Sequence, residues 1–148
     1  MGNICRSPAA EIVFQHLVDQ AGLSARILVD SAGTIGYHRG HGPDPRMAAT
    51  LKARGYDIHG SARQVQAKDL TEFDHILVAD RDNLSDVRSL DGTGASHGKI
   101  SLLTDYCVNV EADHVPDPYY GGNEGFDRVA DIVEDACQGL LNQIAKRL

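Results

Sequence analysis

A three-layer α/β fold, with a parallel sheet covered by helices on both faces, is what this chain of 148 residues predicts. Three observations carry that expectation. Short apolar runs at 26–34, 74–80 and 99–103 read as strands, and two of them end in small polar or acidic residues. Stretches of helical spacing alternate with these runs, as a parallel sheet requires. A Gly-Asn loop also opens directly into the first helical stretch, which is how a ligand-binding edge of an open α/β sheet is built.

The length suits one domain over residues 1–148, with one sizeable core. Lys and Arg number 14 against 21 Asp and Glu, giving a net charge of −7 and a pI near 5.3, so nonspecific binding to nucleic acid or an anionic membrane is disfavoured. Cys5, Cys107 and Cys137 are an odd count at irregular spacing without a CxxC pair, which fits a reducing compartment better than a disulfide or zinc framework. Neither a secretory leader nor a membrane-length apolar run is visible, and a cytoplasmic location is expected. No metal or nucleotide cofactor is implied.

Residues 1–11 come first in the chain and carry most of its chemistry. Gly2 and Asn3 tolerate the backbone angles that turn successive N–H groups inward around an anion. Ser7 is expected to cap the following helix, with Pro8 at its first position, where a missing N–H is harmless. The helix dipole and the planar fork of Arg6 then complete a phosphate-sized cradle without a metal.

The first helix carries Ile12, Val13, Leu17 and Val18 at helical spacing and closes at Gly22. The apolar run 26–34 ends at Ser31-Ala32-Gly33-Thr34, and the loop 35–43 is rich in turn formers around Tyr37. Asp44-Pro45 starts a second helix that stops at Gly55. Arg63 is expected to pair with a helix carboxylate, and His59 is given no catalytic role. Asp80 ends the strand 74–80 and either shapes the neighbouring loop or caps the helix 81–90, capping being favoured. The strand 99–103 follows, and 126–148 forms a long amphipathic helix. Between them, prolines on both sides hold Asp117 on a stiff segment ahead of Tyr119 and Tyr120.

Gly2-Asn3-Ile4-Cys5-Arg6-Ser7-Pro8 resembles the phosphate-binding loop of the low-molecular-weight protein-tyrosine phosphatases, and Asp117-Pro118-Tyr119-Tyr120 resembles their general-acid loop. Two such motifs in the right order extend the resemblance over essentially the whole chain. It implies a flavodoxin-like, doubly wound, four-stranded parallel sheet and a hydrolase of phosphotyrosine or small aryl phosphates working through a cysteinyl-phosphate. Transferred residue by residue, Arg6 is the phosphate clamp and Asp117 the acid and base. Gly2, Asn3, Ile4, Cys5, Arg6 and Ser7 line the loop. Ser31 supports it through Asn3, and Tyr37, Tyr119 and Tyr120 form the aromatic walls. The residues also have plainer readings: Ser31 as a loop-starting serine, Tyr37 as a surface residue, Asp117 in an ordinary turn.

The family's loop is Cys, five residues, Arg, Ser, so its nucleophile would stand immediately before Met1. Cys5 matches a second cysteine of the family and reads as a small buried thiol. The chain is therefore expected to be truncated, to lack the first strand of the sheet and the nucleophile, and to be inactive or nearly so. It is also expected to be destabilised, with dimerisation or strand exchange as a way to fill the open slot. Phosphate, sulfate or vanadate would occupy the loop. The alternatives are a pseudophosphatase that binds phosphotyrosine or phosphate without cleaving it and, further off, a thiol-dependent arsenate reductase.

Overall fold

The computed structural model describes residues 5–34, 36, 39–118 and 122–148. In chain order its elements are α1 (Arg6–Gln20), α2 (Pro45–Ala53), α3 (Asp69–Glu72), β1 (Ile76–Val78), α4 (Arg81–Arg88), β2 (Ile100–Leu102) and α5 (Asn123–Ala145). Single 3₁₀ turns flank β2 at His97–Lys99 and Leu103–Tyr106.

β1 and β2 pair in parallel, with Ile76 opposite Ile100, Leu77 opposite Ser101 and Val78 opposite Leu102, and α4 makes the crossover between them. The side-chain period of two divides the strands between two cores. Ile76, Val78, Ile100 and Leu102 pack with Leu70 of α3 and with Leu84 and Val87 of α4. Leu77 points the other way, into the larger core built by Ile12, Val13 and Val18 of α1, Met47 and Leu51 of α2, and Phe126, Val129, Ile132 and Val133 of α5. These are the three layers expected from the pattern, and the class is α/β with a parallel sheet.

The run 26–34 departs from expectation. Residues 27–32 join no strand ladder, and only Gly33 makes a bridge, through its N–H to the Arg63 carbonyl (2.9 Å) and its carbonyl to the Val65 N–H (2.8 Å). The reason is local: an open cavity of about 550 Å³ is lined by Ile27 and Val29 of this run, by Leu77 and Ala79 of the β1 side, and by Leu140 and Ile144 of α5. Among the described residues the sheet thus has two strands. A strand forms only against a hydrogen-bonding neighbour, and among the described residues no strand pairs with this run.

The start of α1 is also corrected. Cys5 is the N-cap residue, the helix begins at Arg6, and Pro8 is its third residue, with no side-chain cap at Ser7. The first four N–H groups of a helix lack intrahelical partners, so proline is tolerated there too. The α2 start is as expected, with Asp44 capping the Arg46 N–H (2.8 Å) ahead of Pro45. Among the described residues no helix is long and apolar enough to cross a membrane.

Candidate active site

α1 presents Arg6 on its first turn, and the side chain is buried. Among the described residues it is Nη1 that makes the hydrogen bonds, donating to Asp80 Oδ2 (2.6 Å) and to the Val115 carbonyl (2.8 Å). Among the described residues neither Nε nor Nη2 has a protein partner. That edge of the guanidinium carries two parallel N–H groups, the arrangement that grips two oxygens of one phosphoryl group.

Asp80 is therefore more than the favoured cap. Its Oδ1 accepts from the Asn83 N–H (2.8 Å) to cap α4, while Oδ2 holds Arg6. Burial would raise its pKa, but the Asn83 and Arg6 hydrogen bonds outweigh that and hold the carboxyl below the usual range. It stays ionised and fixes the cation in place.

Asp117 lies on the segment 115–118, exposed between the buried Val115 and Pro118. Val115 anchors the segment, its N–H bonding to the Ala79 carbonyl (2.7 Å) at the end of β1 and its carbonyl to Arg6. Cys5 sits at the foot of α1, buried. Burial first, then the charges of Asp44 and Asp117, push its thiol up to about 12. The structure thus brings Cys5, Arg6 and Asp117 into one neighbourhood while keeping the Cys5 sulfur protonated at neutral pH.

Ser31 donates its hydroxyl to Glu11 Oε1 (2.5 Å), and His59 Nδ1 stands 3.6 Å from Glu11 Oε2. Asn3, the partner expected for Ser31, lies outside the described residues, as do Gly2, Ile4, Tyr37, Tyr119 and Tyr120. Ser7 lines the cavity beside Arg6. Arg63 behaves as expected, bridging Asp69 (2.9 Å) of α3 and Asp30 (3.1 Å).

Two features of the site escaped the sequence. Asp44, buried, holds Arg46 at both Nε and Nη2 (3.2 Å each), and the Arg46 guanidinium lies 4.8 Å from the Phe126 ring centre. The cap at Asp44 was legible, whereas the ring contact joins residues eighty positions apart. The role of Val115 is carried by main-chain atoms, which no side-chain pattern reports. Among the described residues no group of three or more His, Cys, Asp or Glu side chains is arranged to hold a metal.

The profile of the low molecular weight phosphotyrosine protein phosphatases matches residues 1–148. A putative low molecular weight protein-tyrosine-phosphatase of Synechocystis sp. is 49% identical over 148 residues, covering 100% of this chain and 94% of that protein. The human low molecular weight phosphotyrosine protein phosphatase is 38% identical, covering 97% of this chain and 90% of its own length. The crystal structure of an Entamoeba histolytica protein tyrosine phosphatase with Hepes in its active site superposes with a TM-score of 0.94 at 40% identity, covering 99% of this chain and 93% of that one. The expectation of a truncated chain is not borne out, because the family match takes in residues 1–148. On this agreement of profile, sequence and fold, the chain belongs to the low molecular weight phosphotyrosine protein phosphatase family.

Proposed function

We propose that the chain binds the phosphoryl group of phosphotyrosine or a small aryl phosphate with the Nε and Nη2 edge of Arg6, and that Asp117 is placed to act on the leaving oxygen. One observation carries this reading: a buried arginine held to the protein through Nη1 alone, with the edge suited to phosphate left without a protein partner among the described residues. An arginine kept only for structure would have its other N–H groups satisfied as well.

The family route begins with a thiolate attacking phosphorus, which breaks the bond to the aryl oxygen as Asp117 delivers its proton. Water, deprotonated by Asp117, then attacks the cysteinyl-phosphate and frees the thiolate and inorganic phosphate. The cysteine of that route stands six residues before the loop arginine, a position ahead of Met1, and Cys5, with its buried and raised thiol, matches a different position of the loop. We read residues 1–148 on their own as a binder of phosphate, sulfate and vanadate with little or no turnover. Its three free thiols are consistent with the cytoplasm, and residues 1–148 act as one phosphatase-like domain.

Titration calorimetry with inorganic phosphate and vanadate tests the reading. Saturable binding to the 148-residue chain, weakened at least tenfold in Arg6→Met, about 1.4 kcal/mol, is expected. Equal binding by the folded Arg6→Met variant would remove the clamp from Arg6.

A further inference from the structure

The segment carrying Asp117 and the side chain of Arg6 meet at one residue that no sequence pattern singled out. Val115 is 1% exposed, and three of its groups are fixed at once. Its side chain sits in the core with Phe126 and Val129. Its N–H bonds to the Ala79 carbonyl at 2.7 Å, and its carbonyl accepts from Arg6 Nη1 at 2.8 Å.

Pro116 and Pro118 flank Asp117 and remove two φ rotations from the path between Val115 and the first turn of α5. Pro116 also restricts Val115 itself to extended backbone. At the far end Pro118 is buried beside Gly125 of α5, where an added Cβ would stand 3.4 Å from the Pro118 Cβ. The segment is thus short, stiff and held at both ends. With the Pro116 φ fixed, fewer rotations remain between the Val115 carbonyl and Asp117 to absorb a displacement.

We propose that Val115 is a positioning residue that registers Asp117 to Arg6, so that capture of an anion by Arg6 and placement of the Asp117 carboxylate are a single event. This rests on the reading of Arg6 as the phosphate clamp. The guanidinium is a rigid plane: an anion on Nε and Nη2 fixes its orientation, and Nη1 in the same plane then fixes the Val115 carbonyl. Asp80 completes the brace by holding Nη1 from the other side, itself fixed at the cap of α4. Asp117 need not touch the anion to respond to it.

The test is a phosphate titration of the isotopically labelled 148-residue chain followed by NMR, with Pro116→Gly and Arg6→Met beside it. In the unchanged chain the Arg6 Nε signal, the Val115 carbonyl and the Asp117 amide should move together with one Kd. Pro116→Gly leaves every Arg6 contact intact, so it should bind phosphate within about twofold of the parent. Its Val115 carbonyl should still respond, while the Asp117 response falls by at least about half as the freed φ rotation absorbs the displacement. An Asp117 amide that stays still in the parent while Arg6 binds would overturn the coupling alone. So would a Pro116→Gly chain whose Asp117 responds in full. Phosphate that moves no Arg6 signal, or that binds Arg6→Met equally well, would overturn the clamp and the coupling with it.

Discussion

Arg6 Nη1 and Asp80 Oδ2 lie 2.6 Å apart, joining the first turn of α1 to the cap of α4 across 74 positions of sequence. One carboxylate thereby satisfies a helix terminus and holds the cation of the candidate site. Asp80→Ala removes both functions and leaves a buried guanidinium without its counter-ion. The expected loss is about 2–4 kcal/mol, read from denaturant unfolding, with phosphate affinity falling as well. Asp80→Asn keeps the cap and should lose less.

The same pair sets an acid limit on stability. The folded-state pKa of Asp80 lies below its unfolded value, so its contribution is fully present above the ordinary aspartate value of about 3.9 and fades as pH falls through the folded value. Below about pH 4 the stability of the parent should therefore fall more steeply than that of Asp80→Asn, as urea midpoints measured across that range would show. Parallel curves would mean that the pair carries no such linkage.

Much of the fold was legible because it rests on periodicity. The apolar spacing of α1 and α5, the Asp-Pro start of α2 and the runs that became β1 and β2 all appear as local patterns. The run 26–34 shows where that stops: it is as apolar as a strand, but a ladder also needs a partner on its edge, and residues 27–32 face a cavity. At the candidate site, residue type and flanking prolines singled out Arg6 and Asp117. The Arg6–Val115 contact was not, because a main-chain acceptor is the same in every residue.

The thiols should differ sharply in reactivity. Burial pushes up the pKa of Cys5, Cys107 and Cys137 alike, but only Cys107 is partly exposed. Iodoacetamide at pH 8 should label Cys107 first. Cys5, with a pKa near 12, should react about a thousandfold more slowly than a free thiol until the chain unfolds. Rapid labelling of Cys5 in the folded chain would show that the site activates it.

Gly139 marks a close approach of α5 to the turn Leu103–Tyr106. A Cβ there would stand 2.0 Å from the Tyr106 carbonyl oxygen, so helix and 3₁₀ turn meet backbone to backbone. Gly139→Ala should cost at least about 2 kcal/mol despite the better helix propensity of alanine, measured by thermal or urea unfolding. A neutral or stabilising result would place the turn farther from α5.

An open cavity of about 550 Å³ beside the larger core is expected to lower its cohesion. The chain should melt at low temperature with weak cooperativity, bind the dye ANS, and associate at high concentration as apolar lining seeks cover. Calorimetry and sedimentation measure this directly. A monomer with a high, sharp melting transition would show that the cavity costs little.

Hydrolysis of p-nitrophenyl phosphate tests the central claim most directly, that Arg6 and Asp117 are the clamp and acid of a site whose nucleophile the 148-residue chain does not hold. The chain is assayed beside a version extended upstream by an apolar strand ending in a cysteine at the family's position, immediately before Met1 and separated from the loop arginine by five residues. Turnover by the extended chain alone, slowed by Asp117→Asn and abolished by Arg6→Met, is the expected result. Turnover by the 148-residue chain that disappears on Cys5→Ser would contradict it and make Cys5 the nucleophile.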